Sequence, residues 1–285
     1  MGFLRLIRIG NLAIIALTMF GVWVAEDQRT YRETDINFML FVFFTLLIAG
    51  AGNAINDYFD YKSDRINNPQ RVVIEKTIKK RWAIIIHWGF NFIALVISIY
   101  LSWQLKSWFY VFIHLFATTL LWLYSLHIKR YLFWSNFVIS ILVALIPLIT
   151  MKFILDSNVF AIHVESILVF SGFAFVVNFA REIIKDIQDM EGDKLREIKS
   201  FALVYGAGSA RTITALVLLL LIPLYIVGYS MHAFSFFLWF NVLFIGGYAM
   251  GLLGLILLLF QASDKTINTV LKLSLVLGCC SIYFL

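Results

Sequence analysis

Long apolar stretches separated by short polar ones recur along the whole chain. A helix needs roughly 17–25 residues to cross the ~30 Å hydrocarbon core of a bilayer, and nine stretches approach this length. The pattern therefore predicts membrane-spanning helices near residues 5–25, 37–58, 82–104, 108–127, 132–152, 162–184, 211–230, 234–260 and 267–285. The ninth has the shortest apolar part, because Lys272 and the polar start SDKTINT interrupt it.

The composition agrees with a protein embedded in lipid. Apolar residues make up 61% of the 285 positions and charged residues 14%, which lies outside the usual balance of a soluble domain. Helices are expected because backbone polar groups in lipid must be bonded within their own segment. The sequence thus predicts an all-α, polytopic membrane protein with about nine helices in one bundle. No linker divides residues 1–285, which predicts a single domain.

The formal net charge of +6 is distributed unevenly along the chain. Most basic residues lie at the start of the first segment or near the ends of segments 2, 4, 6 and 8 and in the stretches that follow them. The opposite side holds only Arg29, Arg32, Lys106 and Lys152. Since positive charge marks the cytoplasmic side, the N-terminus and the loops after the even-numbered segments are predicted to be cytoplasmic, in a plasma (inner) membrane. This distribution accounts for the basic balance without a nucleic-acid partner.

Two acidic clusters leave even-numbered segments with the same spacing. The first triad, Asp57, Asp60 and Asp64, is spaced i, i+3, i+7, which places it within a ~60° arc of one helix face. Asn53 precedes it by one turn, and Glu182 holds the matching place before the second cluster. The second triad, in KDIQDMEGD, is Asp186, Asp189 and Asp193. A repeated acidic spacing at a membrane bundle indicates a site rather than a solvated helix end.

Carboxylates held this close repel one another in a low-dielectric cleft, so the triads require a cation. The five histidines show no paired ligand spacing, and the only cysteines, Cys279 and Cys280, are adjacent within the last apolar segment, which disfavours zinc. Oxygen ligands suit Mg²⁺, which is commonly held by one or two carboxylates, waters and substrate phosphates. The sequence therefore predicts Mg²⁺ and a substrate that carries a diphosphate.

These residues resemble the aspartate motifs of the UbiA superfamily of intramembrane prenyltransferases. NDYFDYKSDRINNPQR is similar to the first motif through Asn56 and the first triad, and REIIKDIQDMEGD is similar to the second through the second triad. The stretch LYSLHIKR resembles the loop between them and supplies Tyr124, Ser125, Lys129 and Arg130. The resemblance runs from the first segment to the last and is closest to the digeranylgeranylglyceryl phosphate synthase branch. It implies a bundle whose cavity opens laterally to lipid, with both motifs at its cytoplasmic mouth.

The resemblance also implies an enzyme that transfers a prenyl group, geranylgeranyl in this branch, from a prenyl diphosphate. Each triad would hold one of two Mg²⁺ ions, with Asn53 and Asn56 as neutral oxygen donors or diphosphate contacts. The basic candidates for diphosphate contact are Arg65, Lys129, Arg130 and Lys185. Arg71 would hold an anionic acceptor, Glu182 is grouped with the substrate-binding residues, and Tyr124 would stabilise the allylic cation.

The acceptor is less constrained than the donor. A prenylated glycerol phosphate would give an ether lipid, whereas an aromatic, quinone-type or chlorin-type acceptor would use the same site. The branch commonly continues after the first motif with Arg-Pro-Ile-Pro-Ser-Gly, but this chain has RVVIEK over 71–76. The partners are then a prenyl diphosphate, a lipid-soluble acceptor and the membrane lipids. A divalent-cation transporter is the alternative from another class, and it would place its carboxylates near the bilayer midplane.

Overall fold

The protein is described here by a computed structural model that covers residues 2–26, 32–67, 69–70, 72–132, 134–157, 163–194, 199–231 and 238–285. Its secondary structure is helical, and the described residues contain only isolated β-bridges besides helices and turns. The helices are α1 (Gly2–Leu6), α2 (Ile9–Glu26), α3 (Arg32–Asn67), α4 (Lys80–Gln104), α5 (Phe109–Leu126), α6 (Trp134–Asp156), α7 (Val164–Gln188), α8 (Met190–Lys194), α9 (Phe201–Leu219), α10 (Leu221–Ser230), α11 (Leu238–Leu259) and α12 (Asp264–Ser281).

Eight helical segments within the described residues are long and apolar enough to cross a membrane. They are α3, α4, α5, α6, α7, the α9–α10 pair, α11 and α12 with the short turn that follows it. The apolar part of α2, Ile9–Ala25, is a shorter ninth. The prediction of an all-α polytopic membrane protein is confirmed, and the ninth predicted segment is long and apolar enough to cross a membrane.

Three predicted boundaries differ from the structure. The first segment is broken, because α1 ends at Leu6 and Arg8 adopts a left-handed backbone with φ 54° before α2 begins. The seventh begins ten residues earlier than predicted, at Phe201, and bends at Gly206, whose φ of 87° and ψ of 156° are open essentially to glycine alone. The second continues beyond the apolar run to Asn67, so the polar motif after it is helical.

The described residues form two compact units. In the first, residues 2–16 and 32–129, α4 and α5 pack against α3. Around the motif-bearing turns of α3, Ala54 packs with Leu6 of α1, with Val73 and Ile74 of the following loop, and with Ala83 of α4. The apolar residues of this loop therefore fix it to the helix that carries the first triad.

The second unit comprises residues 17–26 and the described residues from 130 to 285, with α7 packed against α6, α9 and α12. Close approach of α11 to α12 depends on Gly247, because a Cβ there would meet the Ser274 carbonyl oxygen at 3.2 Å and the Gly278 nitrogen at 3.3 Å. The Ser274 hydroxyl donates to the Gly247 carbonyl over 2.6 Å. Small residues and interhelical hydrogen bonds are the usual means of helix association in lipid. A single domain over 1–285 stays a prediction.

Candidate active site

The first triad lies on the last turns of α3, where the helix passes from apolar to polar sequence. Its helical spacing is retained because α3 continues to Asn67, and the three carboxylates share one face. Asp60 is 2% exposed, so its carboxylate is almost fully desolvated. A buried carboxylate requires a charged partner or a metal.

Two basic residues from other parts of the unit supply that partner. The Lys129 ammonium forms an ion pair with Oδ2 of Asp60, and Nη2 of Arg8 lies 2.8 Å from Oδ1 of Asp57. Arg8 reaches the motif because the chain turns sharply between α1 and α2. Lys129 follows α5 in a 3₁₀ turn, Ile128–Arg130. The first triad thus lies in a cluster that contains both acidic and basic side chains.

Electrostatic coupling is strong in this cluster. Burial lowers the pKa of the Lys129 ammonium, but the charges of Asp60 and Tyr124 outweigh burial and raise it above its ordinary value. Lys129 therefore stays protonated, and Tyr124 lies within its electrostatic influence. Burial, followed by the Asp60 charge, raises the pKa of Asp64 to about 6, so this carboxylate is mostly ionised at neutral pH.

The two asparagines of the motif have different roles in the structure. The Asn53 amide donates to the Ile7 carbonyl over 2.9 Å, which ties the α1–α2 junction to α3. Oδ1 of Asn56 is buried and has no hydrogen-bond partner within the described part of the chain. A buried amide oxygen without a donor is an available ligand for a cation.

The second triad spans a helix break. Asp186 lies in the last turn of α7, Asp189 is the C-terminal cap with φ −98° and ψ 4°, and Asp193 lies in α8 and is 7% exposed. Backbone hydrogen bonds from Asp189 to the Lys185 carbonyl, 2.9 Å, and from Asp193 to the Asp189 carbonyl, 3.0 Å, bridge the break. The first motif therefore lies on one continuous helix, whereas the second motif, despite the same spacing in the sequence, is divided between two helices joined by a short link.

Polar contacts hold the start of the second motif. The Asn136 amide nitrogen of α6 donates to Oδ2 of Asp186 over 2.9 Å. One turn earlier, Glu182 binds the Lys185 ammonium at 2.7 Å and Nη1 of Arg181 at 3.2 Å. Lys185 and Glu182, both predicted as substrate-binding residues, are thus ion-paired with each other.

The remaining predicted residues divide into three cases. The Arg65 guanidinium carbon lies 5.8 Å from the centre of the Tyr61 ring, so this residue contacts an aromatic side chain. The structure describes the backbone of Arg130, which lies in the 3₁₀ turn, but not its side chain. Arg71 lies outside the described residues.

Two site residues were missed from the sequence. Arg8 is one of the basic residues at the start of the first segment, and nothing around it in the sequence predicts that the helix breaks and turns the guanidinium toward Asp57. Asn136 is a polar residue inside a predicted span, a signal that could have drawn attention to it.

The donor set fits Mg²⁺ bound together with a phosphorylated substrate. Across the described ranges, no three carboxylate, imidazole or thiol groups converge closely enough to enclose a metal ion. Mg²⁺ does not need such a cage, because it is typically held by one or two carboxylates, waters and substrate phosphates. The first triad and the Asn56 amide oxygen would supply oxygen ligands at one motif, and the second triad would supply them at the other.

The comparison with known families decides the identity of the fold. The sequence pattern of the UbiA prenyltransferase family matches residues 14–276. The chain belongs to this family. It is an integral, multi-pass membrane enzyme of the UbiA prenyltransferase type.

Curated UbiA relatives and solved structures agree with this assignment. Digeranylgeranylglyceryl phosphate synthase of Methanobrevibacter smithii is 30% identical over 282 residues, 95% of this chain and 91% of the relative. The synthase of Thermococcus sibiricus is 32% identical over 216 residues, 74% of this chain and 71% of the relative.

Two solved structures share the UbiA fold with this chain. A structure of digeranylgeranylglyceryl phosphate synthase in membranes has a TM-score of 0.70 at 22% identity, covering 100% of this chain and 98% of its own. A UbiA homolog from Archaeoglobus fulgidus bound to DMAPP and Mg²⁺ has a TM-score of 0.65 at 15% identity, with 100% of both chains covered. The predicted lateral cavity stays a prediction.

Proposed function

We propose that this chain transfers a geranylgeranyl group from its diphosphate to the free hydroxyl of a prenylated glycerol phosphate, forming an ether lipid. The observation that carries the proposal is the mixed charge of the first motif, where Lys129 and Arg8 pair with Asp60 and Asp57. A site for a bare cation needs only acids, whereas a metal–diphosphate complex needs acids for the metal and bases for the phosphate oxygens. The names of the relatives support the glycerol phosphate acceptor.

The reaction breaks the allylic C1–O bond of the diphosphate, and the bonding electron pair leaves with the diphosphate. Bound Mg²⁺ would neutralise charge on that leaving group. Lys129 and Arg8 would donate hydrogen bonds to diphosphate oxygens as negative charge develops there. The acceptor oxygen then forms the new bond to C1, and its hydroxyl proton is released to water.

The other predicted residues have supporting roles in this proposal. The Tyr124 ring would stabilise the positive charge on the prenyl carbons, since aromatic faces attract cations. The Lys185 ammonium would leave its ion pair with Glu182 and bind the diphosphate. Arg65, Arg71 and Arg130 stay candidates for contact with the phosphate groups of donor or acceptor.

The orientation in the membrane is part of the proposal. Basic residues at the end of α3 and before α4 support a position of the first motif at the cytoplasmic face, which we assign to a plasma membrane; among them are Lys62, Arg65, Lys79 and Lys80. A diphosphate made in the cytosol would then meet the lipid-soluble acceptor at the membrane boundary.

Mass spectrometry of purified protein in detergent tests the proposal. The protein is incubated with Mg²⁺ and geranylgeranyl diphosphate, with either geranylgeranylglyceryl phosphate or 4-hydroxybenzoate as acceptor. Asp60→Asn and Asp186→Asn are the test variants. Asp156→Asn is the matched control, because its carboxylate pairs with Lys152 at the far end of α6.

We expect a doubly prenylated glycerol phosphate from wild type and Asp156→Asn, and none from the two test variants or in EDTA. Product with the aromatic acid alone would keep the prenyl transfer and overturn the acceptor. If neither acceptor gives a product and the protein carries divalent ions into liposomes, the proposal of an enzyme is wrong and the protein is a divalent-cation transporter.

A further inference from the structure

Polar side chains are buried between α6 and α7, below the second motif. The Asn178 amide nitrogen of α7 lies 3.2 Å from the Ser140 hydroxyl of α6, and this hydroxyl donates to the Asn136 carbonyl over 2.6 Å. One end of the series is the hydrogen bond from Asn136 to Asp186. The three polar residues of this series, Asn136, Ser140 and Asn178, are each less than 5% exposed. Burying a polar group within a pair of membrane helices costs free energy unless the group is hydrogen-bonded, so each member of this series depends on its hydrogen-bond partner.

The amide of Asn136 is held in one orientation. The Ser135 hydroxyl lies 2.8 Å from Oδ1 of Asn136 and 3.2 Å from the Leu132 carbonyl oxygen. Donation of its single proton to the nearer Oδ1 leaves Nδ2 as the group that faces the carboxylate. An ionised carboxylate only accepts hydrogen bonds, so an amide nitrogen is the group that suits Asp186. The Asn136 side chain is 3% exposed, so this hydrogen bond is shielded from bulk water.

We infer that Asn136 is a positioning residue for Asp186, fixing Oδ2 of the carboxylate so that Oδ1 is directed to a divalent cation. The inference rests on the proposed function, because it gives Asp186 a metal to bind. Groups that hydrogen-bond to a metal-binding carboxylate orient it, and their loss typically lowers metal affinity or activity by about 10–100-fold. Asn136 does not itself touch the substrate in this scheme.

The test measures binding of Mn²⁺, a carboxylate-binding ion, from the loss of its free-ion EPR signal. Purified protein in detergent is titrated as wild type, Asn136→Leu, Asp186→Asn and the double variant. Leucine is close to asparagine in size and removes the donor. Ser140→Ala is the matched control, since it breaks the neighbouring bond and leaves the Asn136 amide and Asp186 in place.

We expect Asn136→Leu to weaken Mn²⁺ binding about tenfold or more and Ser140→Ala to stay within about twofold of wild type. In the Asp186→Asn background, Asn136→Leu should cause no further loss, because its effect passes through that carboxylate. An equal loss in both backgrounds, or wild-type Mn²⁺ affinity in Asn136→Leu, would overturn the inference while leaving prenyl transfer in place. A wild-type protein that forms no prenylated product and binds no Mn²⁺ would overturn both.

Discussion

Lys129 and Asp60 join two distant parts of the sequence in one partly buried ion pair, in which the Asp60 side chain is 2% exposed and the Lys129 side chain 26%. Removing one partner of such a pair leaves an uncompensated charge, at a typical cost of about 3–5 kcal/mol, whereas replacing both is much less harmful. Lys129→Met should therefore lower the unfolding temperature in metal-free buffer, and it should lower prenyl transfer at least tenfold. Added Mg²⁺ should recover part of the stability, because the ion neutralises Asp60.

The matched control for Lys129→Met is Lys152→Met, which breaks the more exposed pair with Asp156 and should cost about 0–1 kcal/mol. Thermal unfolding of detergent-solubilised protein measures both. The double variant Lys129→Met with Asp60→Asn should unfold at a higher temperature than Lys129→Met alone. Equal unfolding temperatures for these two variants would show that the pair does not stabilise the first motif.

The contribution of Arg8 can be divided between its positive charge and the planar shape of its guanidinium, because different substitutions remove one or both. Arg8→Lys keeps the charge but loses the planar guanidinium that meets Oδ1 of Asp57, whereas Arg8→Gln loses the charge. We expect transfer to fall moderately in Arg8→Lys and at least tenfold in Arg8→Gln. The KM for the prenyl diphosphate should rise in both, measured by product formation. Arg5→Gln, on the preceding turn of α1, is the control and should resemble wild type.

At the scale of elements, the bend in α9 depends on the backbone of Gly206. A side chain there would have open space but a φ of 87° that L residues rarely adopt. Gly206→Ala should therefore destabilise the protein by about 1–3 kcal/mol through strain alone. Gly208→Ala, two residues on, also meets open space but lies in ordinary helical geometry, so it should be neutral or stabilising by up to about 1 kcal/mol. Thermal unfolding measures both variants, and an equal fall in unfolding temperature for Gly206→Ala and Gly208→Ala would contradict the role of backbone strain at Gly206.

The whole molecule is expected to sit in the membrane with its N-terminus in the cytoplasm. In a background with Cys279 and Cys280 changed to alanine, Gln104→Cys at the end of α4 and Lys265→Cys at the start of α12 provide single thiols that the proposed topology puts on opposite sides of the membrane. A membrane-impermeant maleimide should label Gln104→Cys in intact cells and Lys265→Cys only after permeabilisation. The reverse pattern would invert the proposed topology.

Much of the fold is determined by the sequence itself. Apolar runs of bilayer length can satisfy their backbone only as helices, so the spans, the all-α class and the polytopic arrangement follow from local pattern. The two aspartate triads were also recognisable, because their i, i+3, i+7 spacing is a local property of the chain.

Only the tertiary structure decided which groups meet the aspartates. Arg8 reaches Asp57 because a left-handed residue breaks the first segment, and Asn136 reaches Asp186 because α6 packs along α7. Neither contact has a signal in local spacing, since the partners are 49 and 50 positions apart. The sequence therefore determines where the acids stand on their helices, whereas packing between helices determines what neutralises and orients them.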